Sequence, residues 1–142
     1  PNDNYDLMHA HVLPALIKKF HHAKIYNLST VEVWGSGNPR REFLHVDDLA
    51  DACIFLMKEY HSSEIINVGT GQDLSIKDLA LLISEVVGYN GEIFYNTDMP
   101  DGTPSKLLDV SRLNSLGWAH KIDLQSGIKS VYEEYAKSYI AQ

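Results

Sequence analysis

The 142-residue chain is long enough for one domain with its own core, and 44% hydrophobic with 22% charged residues is typical of soluble globular proteins. A net charge of −7 argues against nucleic-acid binding, and no apolar run is long enough to span a membrane. The single cysteine, Cys53, excludes an internal disulfide framework and favours a reducing, cytoplasmic setting. Because the seven histidines are scattered, we predict no metal site.

The first predicted helix covers residues 9–24, where apolar residues recur at helical spacing. Pro14 fits a helix only in its first turn, so the helix should start near residue 11 or 12. His11 then lies at or just before the helix N-terminus. A lone histidine there is more often structural than catalytic, and Lys19, two turns further on, could simply belong to a solvated face.

Residues 31–34 alternate in polarity like a short strand, and Trp34 at its end lies either in the core or beside a ligand as a flat platform. A turn rich in glycine and proline follows, and Arg40 and Arg41 come directly after it. Flexible backbone beside two guanidinium groups suits a phosphate-bearing ligand, because the arginine fork matches phosphate oxygens. A β-turn with solvated charges would give the same pattern.

Phe43 and Leu44 predict a short strand that leads into an amphipathic helix ending near residue 60. Asp47 and Asp48 are placed to cap this helix or to lie in its first turn. Cys53 falls within the apolar stripe of the helix, which predicts a small core residue rather than a nucleophile.

Residues 65–68 are apolar and rich in β-branched side chains, which predicts a buried strand. A Gly-Thr-Gly turn at 69–71 ends this segment. The turn is not the dinucleotide-binding fingerprint, because a third glycine and a helix directly following it are absent.

The remaining chain predicts helices opened by Ser75, Asp109 and Asp123, with Gly88 ending the first of them, and a strand at 92–95. The loop at 97–106 holds two prolines, a glycine and several charged residues, so we expect a rigid, exposed loop that carries binding residues. The predicted class is α/β, with short strands and four or five helices.

Four segments occur in an informative order: HVLPALIKKF, VWGSGNPRREFLHVDDLADA, INVGTG and PDGTPSKLLDVSRLNSLGW. Together they resemble the GDP-L-fucose synthase family, a branch of the extended short-chain dehydrogenase/reductases. The resemblance covers the chain to about residue 135. RREFLHVDDLADA alone would indicate only the broader nucleotide-sugar family, whereas the first and last segments narrow it to the fucose-forming branch.

The resemblance implies conversion of GDP-4-keto-6-deoxy-D-mannose to GDP-L-fucose, by epimerisation at C3 and C5 and reduction of the C4 ketone with NADPH. It implies that His11 is the catalytic acid and a cofactor contact. Arg41 and Lys106 would bind the diphosphate, and Trp34 and Asp101 the nucleotide or the sugar. Lys19 is a further implied substrate contact, although some family members have arginine there.

Two features of the family are missing from the sequence, namely a G-x-x-G-x-x-G segment and a Tyr-x-x-x-Lys pair. The chain also starts without methionine. We therefore expect residues 1–142 to be a C-terminal substrate-binding portion that is inactive alone. Residues 45–71, including the strand at 65–68, should pack on an absent N-terminal Rossmann domain, and the full-length enzyme should be a homodimer. An isolated fragment should expose apolar surface.

Two other functions remain open. A different nucleotide-sugar epimerase or dehydratase would keep RREFLHVDDLADA but would not need PDGTPSKLLD. A free-standing nucleotide-binding module would bind the nucleotide without chemistry.

Overall fold

The computed structural model describes residues 3–7 and 9–140, with side chains through residue 138. This part of the chain holds five helices and five short strands, which confirms the predicted α/β class. In chain order they are α1 (Val12–Ile25), β1 (Thr30–Trp34), β2 (Arg40–Glu42), α2 (Val46–Glu59), β3 (Asp73–Ser75), α3 (Ile76–Val87), β4 (Glu92–Asn96), β5 (Ser105–Lys106), α4 (Ser111–Ser115) and α5 (Leu124–Ile140).

The main core lies where α1, α3 and α5 pack together beside the parallel pair β1–β4. The alternation predicted for the first strand is confirmed, since Val31 and Val33 are buried and their neighbours on the strand are exposed. The helices contribute the largest buried side chains of this core, which are Ile17, Phe20, Leu79, Ile83, Val87 and Ile128. Burial of these apolar groups is the main force that fixes the helices on the strands.

A second sheet has the order β3–β2–β5, with β2 antiparallel to β3 and parallel to β5. It brings together residues from three distant parts of the sequence, at 40–42, 73–75 and 105–106. The sheet therefore connects the turn after β1 with the loop that follows β4.

Local capping explains most of the helix boundaries. Ser75 Oγ accepts a hydrogen bond from the backbone N–H of Asp78 at 3.0 Å and donates one to Asp78 Oδ2 at 2.6 Å. Gly88, with φ of +73°, closes the same helix in the left-handed conformation that glycine adopts without strain. Asp123 Oδ1 accepts from the N–H of Ser126 at 2.9 Å and opens α5. These three predicted boundaries are confirmed.

Of two further boundaries, one matches a predicted alternative and one differs. The cap of α2 is His45, whose Nδ1 accepts from the N–H of Asp47 at 3.2 Å, and Asp47 and Asp48 lie in the first turn, which was one of the two predicted positions. The helix predicted after Asp109 begins at Ser111, and Asp109 Oδ1 accepts from the N–H of Ser111 at 2.9 Å.

One predicted strand is corrected. The strand predicted at 43–44 lies at Arg40–Glu42 instead, because β3 is opposite those three residues and β5 is opposite Arg40 and Arg41. Phe43 and Leu44 leave the sheet and pack into the main and the smaller core, respectively. The segment at 65–68 pairs with no strand in the described part of the chain; its predicted partner sheet belongs to another domain, so this strand stays a prediction. An extended segment needs a neighbouring strand to satisfy its backbone groups in a ladder.

A smaller core forms where Ala52 of α2 packs near Leu113 and Trp118. Part of the apolar stripe of α2 nevertheless faces outward, with Met57 83% exposed and Leu49 42% exposed. Ile65, in the segment after the helix, is 88% exposed. The predicted exposure of apolar surface is thus confirmed. The prediction of Cys53 as a core residue is wrong for this chain, because its side chain lies on the exposed face.

Within residues 3–7 and 9–140, no helix has the combination of length and apolarity needed to cross a bilayer.

Candidate functional site

A cleft of about 620 Å³ opens between the N-termini of α1 and α5 and the end of β2. His11, Arg41 and Lys106, three of the six predicted site residues, border it. Its apolar wall includes Val12, Leu13, Pro14, Phe43, Leu44, Ile128 and Val131. Asp3, Glu42, Asp123 and His45 also line it, so the cleft places charged groups of both signs and two imidazoles against an apolar wall, a composition that suits a polar small molecule.

The two cations are held side by side by the second sheet. Arg41 of β2 and Lys106 of β5 are Cα partners in the parallel register. Like charges directly opposite each other on neighbouring strands destabilise a sheet. The register therefore favours an anion that contacts both groups.

The guanidinium group of Arg41 is fixed by backbone carbonyls. Its Nη1 donates to the carbonyl oxygen of Arg40 at 2.7 Å and to that of Thr103 at 2.6 Å. The backbone of Gly102 comes so close that a Cβ there would lie 2.8 Å from Nη2. Anchoring through Nη1 leaves the donors on Nε and Nη2 for further acceptors.

Arg40 behaves differently from its neighbour. Its Nε donates to Asp73 Oδ1 at 2.9 Å, and its Nη2 donates to the carbonyl oxygen of Asp73 at 2.9 Å. The hydrogen bond and the positive charge of Arg40 lower the pKa of Asp73. Arg40 is exposed and lies outside the lining of the cleft, and its hydrogen bonds to Asp73 tie β2 to β3.

Lys19 and Trp34 form a second group, outside the lining of the cleft. The Lys19 ammonium lies 5.1 Å from the centroid of the Trp34 ring, which is the geometry of a cation–π contact. Lys19 Nζ also donates to the carbonyl oxygen of Glu32 at 2.9 Å. Partial burial lowers the pKa of Lys19, and the charge of Glu32 opposes this shift. Trp34 itself is 51% exposed, which favours the platform over the core interpretation.

Asp101 holds the turn that follows Trp34. Its Oδ1 accepts from the backbone N–H of Ser36 at 2.8 Å, and its Oδ2 accepts from the Ser36 hydroxyl at 2.6 Å. These two donors lower the pKa of Asp101. Gly35, with φ of +80°, leaves no room for a Cβ beside the Asp101 carboxylate. The loop at 97–106 thus spans the distance between the Trp34 turn and the cleft.

His11 is the N-cap residue of α1, as predicted, and its side chain forms no capping hydrogen bond. It is exposed and faces the cleft, so the ring remains available to a ligand. His45 also borders the cleft. Its ring is fixed as the cap of α2, and Gly127 of α5 packs against it so closely that a Cβ there would lie 3.2 Å from Cδ2.

Three contributions to this site were missed from the sequence. The N-terminus of α5 supplies one wall, Asp101 acts on Ser36, and Glu42 binds backbone amides of two distant segments. Of these, only Glu42 has a sequence signal, because it is a carboxylate directly after two arginines. In the described residues, no three or more His, Cys, Asp or Glu side chains are grouped as metal ligands would be.

Comparison with known proteins gives this geometry a context. Residues 1–69 match the model of the NAD dependent epimerase/dehydratase family. The chain is 54% identical, over 98% of its length, to a putative GDP-L-fucose synthase 2 of Arabidopsis thaliana, and covers 42% of that protein. It is 47% identical, over 97% of its length, to a GDP-L-fucose synthase of Escherichia coli K12, and covers 46% of it.

The fold is that of a solved relative. A crystal structure of a GDP-L-fucose synthetase from Naegleria fowleri bound to NADP superposes with a TM-score of 0.91 at 27% identity. The match covers 99% of this chain and 44% of that one. The chain thus spans less than half the length of these relatives. Over nearly all of its own length, the chain is similar in sequence to GDP-L-fucose synthases, and it shares the fold of the matching part of the solved relative.

Proposed function

We propose that this chain is the substrate-binding, C-terminal part of a GDP-L-fucose synthase. The observation that carries the proposal is that His11, Arg41 and Lys106, from three separate motifs of the family, border one cleft. The whole enzyme would convert GDP-4-keto-6-deoxy-D-mannose to GDP-L-fucose. It would epimerise C3 and C5 of the sugar and then reduce the C4 ketone.

Arg41 and Lys106 are the proposed diphosphate contacts. The parallel register sets the two cations side by side, and a diphosphate offers oxygens to both. Binding of this anion would offset the repulsion that the register creates between the cations.

Trp34 and Lys19 are proposed to bind the nucleotide end of the substrate. The exposed indole offers a face for a nucleobase, and the ammonium beside it can reach a neighbouring oxygen. Asp101 acts at least through the turn it holds, because both of its oxygens accept hydrogen bonds from Ser36.

His11 is the proposed acid of the epimerisation. Each inversion removes a proton from a carbon next to the ketone and returns one to the opposite face. Imidazole titrates near neutral pH and can therefore supply that proton under physiological conditions. The position of His11 at the mouth of the cleft, without a capping bond, supports this role.

NADPH is the proposed cofactor, and it supplies the hydride for reduction of the ketone when bound. An upstream Rossmann domain would hold most of it, with His11 as this chain's contact. The Gly-Thr-Gly turn at 69–71 does not fit a dinucleotide phosphate, because the amides of Thr70 and Gly71 donate to the carboxylate of Glu42.

The same upstream domain is the proposed partner of residues 45–71. The exposed apolar side chains of α2 and Ile65 lie within this range. We further propose a cytoplasmic homodimer as the form of the complete enzyme.

Two proteins test the proposal. One is the 142-residue chain, and the other is a chimaera in which the chain replaces the matching part of the Arabidopsis relative. The chain should bind GDP more tightly than UDP or dTDP in calorimetric titrations. With NADPH, the chimaera should form GDP-L-fucose, whereas the chain alone should not.

Two results would support a different function. Preference for UDP or dTDP would indicate a different nucleotide-sugar enzyme. If GDP binds but the chimaera produces neither epimerisation nor reduction, the chain would be a binding module.

A further inference from the structure

Glu42 lies next to Arg41 in β2, yet its carboxylate is occupied by backbone amides. Oε1 accepts from the N–H of Thr70 at 2.6 Å and from the N–H of Gly71 at 2.7 Å. Oε2 accepts from the N–H of Leu108 at 2.9 Å. Both oxygens of one half-buried carboxylate therefore bind segments that are far apart in the sequence.

The turn at 69–71 is shaped around this carboxylate. Two successive N–H groups point at one oxygen, with Gly71 at φ of +72°, and such a pair forms a cradle for an anion. Gly69 is buried, and a Cβ on it would collide with Glu42 Oε1. The glycine-rich turn thus holds a carboxylate of the protein, where a similar turn elsewhere would hold a phosphate.

The second oxygen connects this turn to the cation pair. Leu108 follows two residues after Lys106, which is the register partner of Arg41. Because β5 has only two residues, its position depends strongly on contacts at its ends. The hydrogen bond from Leu108 to Glu42 is such a contact.

The negative charge of Glu42 does not neutralise the cations. In the described part of the chain, Glu42 forms no ion pair within 4.0 Å with a lysine, an arginine or a histidine. The side chains of successive strand residues also point to opposite faces, which separates the Glu42 carboxylate from the Arg41 guanidinium. The Glu42 carboxylate accepts hydrogen bonds from backbone amides, and Arg41 and Lys106 remain available to an external anion.

We propose that Glu42 is a positioning residue of the diphosphate site. By binding the turn at 69–71 and the N–H of Leu108 at once, it fixes β5 against β2 and so sets the distance between Lys106 and Arg41. The inference rests on the proposed function, in that the external anion is taken to be the diphosphate of GDP.

The test measures binding of GDP and of guanosine to Glu42→Gln, in the whole chain and in the chimaera. Glutamine keeps the size of the side chain but replaces one acceptor oxygen with an NH₂ group. This group would face a backbone N–H, and two donors cannot form a hydrogen bond. We expect GDP affinity to fall about 10- to 100-fold, because hydrogen bonds between the diphosphate and the displaced cation would be weakened, with guanosine affinity unchanged. The exposed Glu133→Gln carries the same chemical change and should leave both affinities as they are.

A double-mutant cycle with Lys106→Ala separates positioning from general stability. If Glu42 acts through Lys106, the losses in GDP affinity caused by the two changes will not add. Additive losses, equal losses for GDP and guanosine, or unchanged GDP affinity in folded Glu42→Gln would each overturn the inference.

The experiment also distinguishes a folding defect of the variant from a failure of the unmodified protein to bind GDP. If Glu42→Gln does not fold, Glu42→Asp replaces it, since aspartate keeps the charge but is too short to reach both segments. The same selective loss of GDP affinity is expected for Glu42→Asp. Absence of that loss would overturn the inference. Failure of the unmodified protein to bind GDP would overturn the proposed function and, with it, the anion assigned here.

Discussion

Arg41 and Lys106 are partners across two parallel strands, and a backbone hydrogen bond of 2.8 Å from the N–H of Arg40 to the carbonyl oxygen of Pro104 joins the same two segments. The pair is the most specific feature of the cleft, because the strand register places two cationic residues opposite each other. Loss of either cation should therefore affect one part of the ligand, the diphosphate.

Removing the charge of Arg41 or Lys106 should weaken GDP binding. We expect Arg41→Ala and Lys106→Ala each to lower the affinity about 10- to 100-fold, since a hydrogen bond to a charged group contributes about 1.5–3 kcal/mol. The loss should shrink as salt rises, because salt screens partly exposed charges. Isothermal titration at two ionic strengths measures both effects. Lys129→Ala, at an exposed position of α5, is the matched control, and an equal loss there would refute the assignment.

Replacing His11 should abolish epimerisation while leaving GDP binding intact. In the chimaera, His11→Ala should slow exchange of deuterium from D₂O into C3 and C5 of the sugar by about 10²–10⁴-fold, the usual contribution of a general acid. Mass spectrometry of the recovered nucleotide sugar measures the exchange. His9, which pairs with Asp6 at 2.8 Å outside the cleft, provides the control His9→Ala. Undiminished exchange in His11→Ala would make that residue structural.

Asp101 and Ser36 should behave as one unit. Asp101→Asn removes the charge of the acceptor and Ser36→Ala removes the donor, so each change weakens or breaks the 2.6 Å hydrogen bond between the Ser36 hydroxyl and Asp101 Oδ2. If Asp101 acts only through the turn, each change should lower GDP affinity by the same factor, about fivefold for a hydrogen bond of about 1 kcal/mol. A clearly larger loss in Asp101→Asn would instead reveal direct contact between Asp101 and the ligand.

The exposed face of α2 should control association with the proposed upstream domain. Met57→Glu in the chimaera should lower its melting temperature and expose the junction between the two parts to proteases, because a charge would then be buried against apolar surface. Leu81→Glu changes a side chain that is 52% exposed on α3 and should have little effect. Equal melting temperatures for Met57→Glu and the unmodified chimaera would show that this face stays in solvent.

Stability should decrease in mildly acidic solution because of His21. This side chain is only 3% exposed, its Nδ1 lies 3.2 Å from the hydroxyl of Tyr132, and burial, with the charges of Lys24 and His22, lowers its pKa. The folded state therefore binds fewer protons than the unfolded state, and the free energy of unfolding falls as pH drops below about 6.5 towards the folded pKa.

Urea denaturation from pH 7.5 to 5.5 measures this dependence. His21→Gln should flatten it over that range, whereas the exposed His61→Gln should not. Identical slopes for His21→Gln and the unmodified chain would assign the effect to other groups.

The sequence predicted the features that depend on neighbouring residues. Ser75 and Asp123 marked their helices because a cap acts within three residues, and the alternation at 31–34 located β1. The strand at 65–68 was predicted from composition, but a strand also requires a partner, and the described chain provides none.

The candidate site was only partly predictable for the same reason. His11, Arg41 and Lys106 were identified from motifs, but their common cleft depends on the pairing of β2 with β5. The role of Glu42 depends on amides 28 and 66 residues away, which no local pattern reveals. Cys53 was assigned to the core because helical spacing identifies an apolar face without showing whether anything covers it.

The uncovered side of α2 also bears on how such an enzyme could be assembled. If an upstream domain packs there, burial of apolar surface would hold the domain and this chain together, and no peptide bond between them would be needed. The chain and a separately expressed dinucleotide-binding polypeptide should then reassociate into a functional enzyme, as in fragment complementation. Met57 and Ile65, at 83% and 88% exposure, would be the side chains whose burial drives that reassembly.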